Sequence, residues 1–163
     1  MNKDKLLIVG AIPTKNKQIY GGILKSCRII LDSPLAENFH LITIDSSQLS
    51  NPAPNIIVRF FFAFKRIILL IYKLIAEKPK VALIFTSDGF SAIEKGLMCL
   101  INSLFGCTVM IFPRAGNLIT QTKDSKLMMF LIRFLFRKAT IFLCQGENWK
   151  KFAINHIGFD KDN

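Results

Sequence analysis

The chain is short of acid, of histidine and of tryptophan: Asp and Glu number 11 against 22 Lys and Arg, and its 163 residues hold two His and one Trp. Four cysteines, Cys27, Cys99, Cys107 and Cys144, lack C-x-x-C spacing, so neither a metal site nor a disulfide framework can be written from them. They stand inside apolar runs such as "GLMCLINSLFGCTVMIF" and are expected to be buried, reduced thiols. Two nucleotide fingerprints are missing as well. The turn after the first apolar run has neither G-x-G-x-x-G nor G-x-x-x-x-G-K-[ST], which disfavours NAD enzymes and P-loop NTPases. The net charge of +11 raises nucleic acid as a partner, yet there is no helix-turn-helix signature, RNP motif, zinc-ligand set or exposed basic run, so no nucleic acid is expected. Nor is export expected, because the first apolar run, residues 6–9, stops at Gly10 and is too short for a secretory signal.

What the chain does have is apolar bulk: 51% of residues are hydrophobic and the mean hydropathy is +0.37. The same stretches carry the Lys and Arg, a combination that makes an anionic membrane surface the first partner to expect. Residues 56–76, "IIVRFFFAFKRIILLIYKLIA", are almost long enough to span a bilayer, but Arg59, Lys65, Arg66 and Lys73 interrupt them. At helical period Arg59, Arg66 and Lys73 form one cationic stripe, with Phe61, Phe62, Phe64, Ile68, Leu69 and Ile71 around the rest. Residues 125–138 repeat the theme, with Lys126, Arg133 and Arg137 set against Leu127, Met128, Phe130, Leu131, Phe134 and Leu135. Either these are core helices with a solvated charged edge, or they leave apolar area over for lipid.

Apolar runs of strand length at 6–9, 40–44, 81–85, 108–112 and 140–144 alternate with segments of helical period at 22–31, 56–76, 90–104, 125–137 and 147–156. Most of the strand runs are continuously apolar, as strands covered on both faces are, which predicts a parallel sheet. Asp124 is a candidate N-cap, Gly106 and Gly158 are candidate helix stops, and "DSSQLSNPAPN" at 45–55 reads as a loop. The fold class expected is α/β: a single doubly wound Rossmann-like domain over residues 1–163, with a mainly parallel sheet of about five or more strands.

In such sheets ligands bind beyond the carboxyl ends of the strands. The first strand is followed by Gly10, Ala11, Ile12 and Pro13, and later by Gly21 and Gly22 opening a helix. That pair either lets backbone approach an anionic or sugar ligand or serves a tight turn only. Ser87 and Asp88, before Gly89, follow the third strand as binding candidates, with a helix N-cap as the alternative for either. Arg114 and Gly116 follow the fourth, a surface pair with a carboxylate being the alternative for Arg114. His40 begins a strand and His156 lies near a helix end, positions that suit structural roles.

A first strand ending in Gly10, Pro13 soon after, Gly21-Gly22-Ile23 opening the first helix, and "FPRAGNL" at 112–118 resemble the N-terminal domain of the family 4 retaining glycosyltransferases, enzymes of the two-domain GT-B architecture. The family's Pro-Arg-Gly-x-Leu segment is matched with Ala115 standing before Gly116, and "CQGENWKKFAINHIG" is similar to the strand and short helix ahead of the family's interdomain linker. The resemblance covers essentially the whole chain. It implies an acceptor-side domain whose partners are a nucleotide-sugar and a membrane-associated acceptor, polyprenyl-linked or another glycan, in cell-surface polysaccharide or glycolipid synthesis at the cytoplasmic, inner face of a membrane. The family's donor domain carries a Glu-x7-Glu signature, which the four glutamates here, Glu37, Glu77, Glu94 and Glu147, do not form. The expectation is therefore a truncated product or one subunit of a split enzyme, inactive alone, with no cofactor or metal of its own and the nucleotide-sugar held only with a second domain. Gly21 and Gly22 would line the interdomain cleft and Arg114 would meet acceptor or phosphate; no catalytic residue is singled out. The alternative is a non-catalytic α/β partner protein at the membrane periphery.

Overall fold

Each of the five apolar runs becomes a strand: β1 (Lys5–Gly10), β2 (His40–Asp45), β3 (Val81–Thr86), β4 (Thr108–Pro113) and β5 (Ile141–Phe142). The computed structural model describes residues 3–13, 21–47 and 54–160. It is of the expected Rossmann-like α/β class, with a five-stranded, all-parallel sheet flanked by helices. The chain divides into two compact units, Met1–Lys80 and Val81–Asn163.

In the first unit β1 pairs with β2 from Lys5↔His40 to Gly10↔Asp45. All residues of β1 after Lys5 are buried, as its continuous apolar run predicts, whereas β2 alternates, burying Ile42 and Ile44 only. Helix α1 (Gly22–Leu31) buries Cys27. A short helix α2 (Pro34–Asn38), absent from the sequence-based reading, has a readable start: Ser33 Oγ accepts from the Leu35 N–H at 3.3 Å and Pro34 takes the first helical position. Helix α3 (Ile56–Glu77) starts where Asn55 Oδ1 accepts from the Val58 N–H and ends at Lys78, a left-handed cap with φ 50°. Most of the expected loop at 45–55 lies outside the described residues; Asp45 itself closes β2. At the amino end of β1, Lys5 pairs with Glu77 at 2.8 Å and Asp4 with Lys80 at 3.1 Å.

Helix α3 corrects the expectation of a cationic edge facing outward. Its buried residues are Ala63, Leu70 and Leu74, and Arg59, Arg66 and Lys73 flank that packed arc, each half-buried. The arc turned to solvent is apolar: Ile57, Phe60, Phe61, Phe64, Ile68, Tyr72 and Ile75 are all more than half exposed. With cations beside the packed side, their long stems cover apolar surface while their heads reach polar surroundings.

In the second unit β3 pairs with β4 from Val81↔Thr108 to Thr86↔Pro113, and β4 with β5 at Met110↔Ile141 and Ile111↔Phe142. Helix α4 (Gly89–Leu104) packs on β3, β4 and a later helix, α6 (Lys126–Phe136). It carries an ion pair that its sequence does not advertise: Lys95 Nζ and Glu94 Oε2 are 3.0 Å apart with both side chains almost wholly buried. Gly106, with φ +75°, and Gly158, with φ +94°, end helical segments in the left-handed conformation, as expected of stops. Ser125, not Asp124, caps α6, its Oγ accepting from the Met128 N–H, while Asp124 closes a further helix, α5 (Asn117–Asp124). Along α6 the cations Lys126, Arg133 and Arg137 are exposed, and so are Leu127, Phe130 and Phe134; Ile132, Leu135 and Phe136 are buried. The last helix, α7 (Glu147–Phe152), runs on into a π-helical turn, Ala153–Ile157. Phe136, Trp149 and Phe159 ring Phe142, with centroids 5.4–6.4 Å from it.

Three cysteines, Cys27, Cys99 and Cys107, are buried free thiols, but Cys144 is exposed, because β5 stops at Phe142 instead of running to 144. His40 is exposed at the start of β2, and His156 is exposed with its ring 5.7 Å from that of Phe152. Among the described residues no helix is long and apolar enough to cross a membrane.

Candidate functional site

Four of the six candidate residues gather in the second unit, beyond the carboxyl ends of β3 and β4. Strand β3 ends in the buried Thr86, whose carbonyl accepts the Arg114 N–H at 2.8 Å, so the two strand ends are tied as they leave the sheet. Ser87 and Asp88 follow, both half-buried. Asp88 occupies the N-cap position of α4 but makes no capping hydrogen bond; its Oδ2 accepts instead from Asn117 Nδ2 at 2.7 Å. The capping alternative for Asp88 is thus half right, in place but not in bonding. The open end of α4 is served from elsewhere, the Gly89 N–H donating to Gln121 Oε1 at 2.7 Å. Gly89, at φ +55°, makes the sharp entry into the helix that a side chain would strain.

Arg114 follows Pro113 at the end of β4. Its guanidinium carbon lies 5.1 Å from the centre of the Phe112 ring, a cation–π distance, and its Nε is buried without a hydrogen-bond partner. Among the described residues Arg114 is in no ion pair. A buried guanidinium N–H left unpaired is costly, on the order of 1–3 kcal/mol, and an oxyanion meeting this arginine would relieve that cost. Gly116, the N-cap of α5, has ordinary helical φ and ψ, and a Cβ placed on it would meet nothing within 4 Å. Neither backbone nor neighbours require glycine there. Gln145 closes the rim, its Nε2 donating to the Pro113 carbonyl. Beside these residues lies an open groove of about 440 Å³, lined by Gly89, Phe90, Ile93, Gln121, Asp124, Ser125 and Met128.

Sequence reasoning missed Asn117 and Gln121 because it left α5 out. Leu118 and Thr122, four apart, are both buried, but Thr122 reads as polar in sequence, and only its hydroxyl donating to the Ile119 carbonyl lets it pack as apolar.

In the first unit the loop after β1 is fastened by a residue not singled out beforehand. Asp45, at the end of β2, accepts through Oδ1 from the Ile12 N–H at 3.3 Å and the Ser47 N–H at 2.9 Å, and through Oδ2 from the Ser47 hydroxyl at 3.0 Å. The Ser46 N–H donates to the Gly10 carbonyl at 2.8 Å. Cys27 of α1 is held against this loop; burial pushes its thiol up to about 11, against the lowering effect of a hydrogen bond with the Ala11 backbone, and the Asp45 charge adds to the rise. Gly21 is the N-cap of α1 and Gly22 its first residue, both exposed. At φ 175° Gly21 is extended, a conformation open to any residue, and a Cβ there would meet nothing within 4 Å. A tight turn is therefore not the reason for glycine at 21. Residues 14–20, between Pro13 and this pair, lie outside the described residues.

Compared with protein families, curated proteins and solved structures, the chain finds no match in any of the three.

Proposed function

We propose that this chain is the acceptor-side domain of a retaining glycosyltransferase of the GT-B kind. With a donor-binding domain, it moves a sugar from a nucleotide-sugar onto a membrane-associated acceptor at the cytoplasmic face of a membrane. The observation that supports this most is Arg114: a guanidinium on Phe112 at the carboxyl end of a parallel strand, with a desolvated Nε awaiting an acceptor. In this role its planar fork binds a phosphate or an acidic acceptor group, and the Asp88–Asn117 hydrogen bond fixes the loop beside it. Gly116 and Gly21, which no backbone or neighbour constraint requires to be glycine, leave room for a ligand to come against bare main chain. Ser87 belongs to the proposed binding surface around Arg114 in the second unit, Gly22 to one beside Gly21 in the first, and bond making is left to the donor domain. A partner protein without catalysis is the second reading, favoured by Asp88, whose Oδ2 is already engaged by Asn117.

The experiment is to supply a donor domain by fusion or co-expression and follow nucleotide-sugar turnover. Arg114→Lys is expected to lower turnover by about tenfold or more while keeping the parent's circular dichroism, because a point-like ammonium cannot reproduce a bidentate contact. An Arg114→Lys enzyme as active as its parent would refute the role given to this residue. Micromolar binding of a nucleotide-sugar by the chain alone would refute the acceptor-side reading as a whole, since the isolated domain is expected to bind no tighter than about millimolar.

A further inference from the structure

We infer that the outward arc of α3 beds into the interfacial layer of an anionic bilayer, held by insertion of its side chains and not by charge attraction alone; this deepens the membrane-periphery part of the reading above. The exposed residues Ile57, Phe60, Phe61, Phe64, Ile68, Tyr72 and Ile75 recur at three- and four-residue spacing, so they share one side of the helix over about 27 Å of its length. Ile57 is 77% exposed and Phe61 63%, values at odds with a solvent-facing helix that has nothing to meet.

The chemistry around the arc selects the occupant. Its border carries Lys65, exposed, and beyond the helix end comes Lys78, also exposed, while Lys80 is paired with Asp4; the acid in α3 is Glu77, already paired with Lys5. A second copy would bring two chains of net charge +11 face to face. A protein partner would find the Tyr72 hydroxyl as the one polar group on the seven side chains, with little to set a specific register. A bilayer needs no register: aromatic and aliphatic side chains enter the acyl boundary to a depth of about 5–10 Å, Tyr72 sits with its hydroxyl toward the headgroups, and the lysines meet lipid phosphate. Because the cations of the predicted stripe, Arg59, Arg66 and Lys73, are half-buried beside the packed arc, the apolar side chains carry the binding.

The test uses the full chain with phosphatidylcholine–phosphatidylglycerol vesicles that contain no glycan acceptor and no nucleotide-sugar. The parent's one tryptophan, Trp149, is buried. Phe64→Trp is expected to add an emission that shifts to the blue on vesicle addition and is quenched by brominated acyl chains. The triple substitution Phe60→Ser, Phe61→Ser, Phe64→Ser is expected to keep the parent's circular dichroism and weaken co-sedimentation by about tenfold or more. Raising the salt from about 0.1 M to about 1 M, which shortens the screening length from roughly 10 Å to 3 Å, should weaken the parent's binding by less than the triple substitution does. Parent-like binding by the triple variant, or an unshifted Phe64→Trp emission, overturns the inference. So does a parent that is dimeric without lipid and becomes monomeric in the triple variant, because the arc then covers a second copy. Vesicle binding that survives while reconstituted transfer fails refutes the transferase reading alone; transfer that survives without vesicle binding refutes this inference alone.

Discussion

Replacing Gly96 by alanine tests the packing of the second unit at its closest point. A Cβ built on Gly96 would lie 2.7 Å from Leu135 Cβ, 3.1 Å from Leu135 Cδ1 and 3.3 Å from Phe136 Cε1. Carbon atoms in good contact stand about 3.5–4.0 Å apart, so the first of these is short by roughly 1 Å. A Cδ1 can rotate away, but Leu135 Cβ is fixed to the backbone of α6, which is itself anchored by the buried Ile132 and Phe136. Helix α6 must therefore move as a whole, an overpacking strain of about 1–3 kcal/mol. Against it stands the gain from removing glycine from a helix interior, about 0.5–1 kcal/mol. Because the short contact is to an atom fixed to the backbone, the strain falls in the upper half of that range, and the net expectation for Gly96→Ala is a loss of about 1–2.5 kcal/mol, which for a chain of this size lowers the thermal midpoint by roughly 2–10 °C. Gly96→Val, adding two methyl groups and a stiff χ1, should lose more. Urea or thermal unfolding followed by circular dichroism reads both. A Gly96→Ala protein as stable as its parent, or more so, would show that backbone propensity outweighs the contact and refute the reasoning.

Three further outcomes follow from individual groups. Lys78→Gly, at the left-handed cap of α3 with φ 50°, should stabilise the chain by about 1 kcal/mol in chemical denaturation, since only a residue with a Cβ is strained there; a destabilised variant would mean that the Lys78 side chain holds more than its backbone loses. The raised Cys27 thiol keeps its proton in the folded chain after the unfolded chain has lost it, so its contribution to stability is whole below the ordinary value of 9.0 and fades as pH climbs to about 11; Cys27→Ala should flatten stability over that window, and an unchanged profile would refute the assignment. In the same chain near pH 8 an alkylating reagent should modify the exposed Cys144 well before Cys27, Cys99 or Cys107, which peptide mapping would reveal.

The amino-acid sequence by itself determined the fold class and where most elements lie. Apolar runs of strand length, set off by breakers such as Gly106 and Pro79, marked the strands, and helical period filled the gaps, because backbone hydrogen bonding and apolar burial are both local in their pattern. It did not carry α2, whose five residues are too few for a period, or α5, where a buried Thr122 counts as polar until its hydroxyl is seen bonded to its own helix. Tertiary structure alone decided which arc of α3 packs: with apolar residues around most of the circumference, periodicity marks the cations but not the side that meets the sheet, and the packed arc proved to be the one carrying Ala63 and Leu70. The same holds for charge. Glu94 and Lys95 look solvated in sequence and are buried against each other, and Asp88 looks like a cap yet bonds Asn117, 29 residues away. Contacts of that range depend on how the chain returns to itself, so they appear only when the strands are in register and their carboxyl ends side by side.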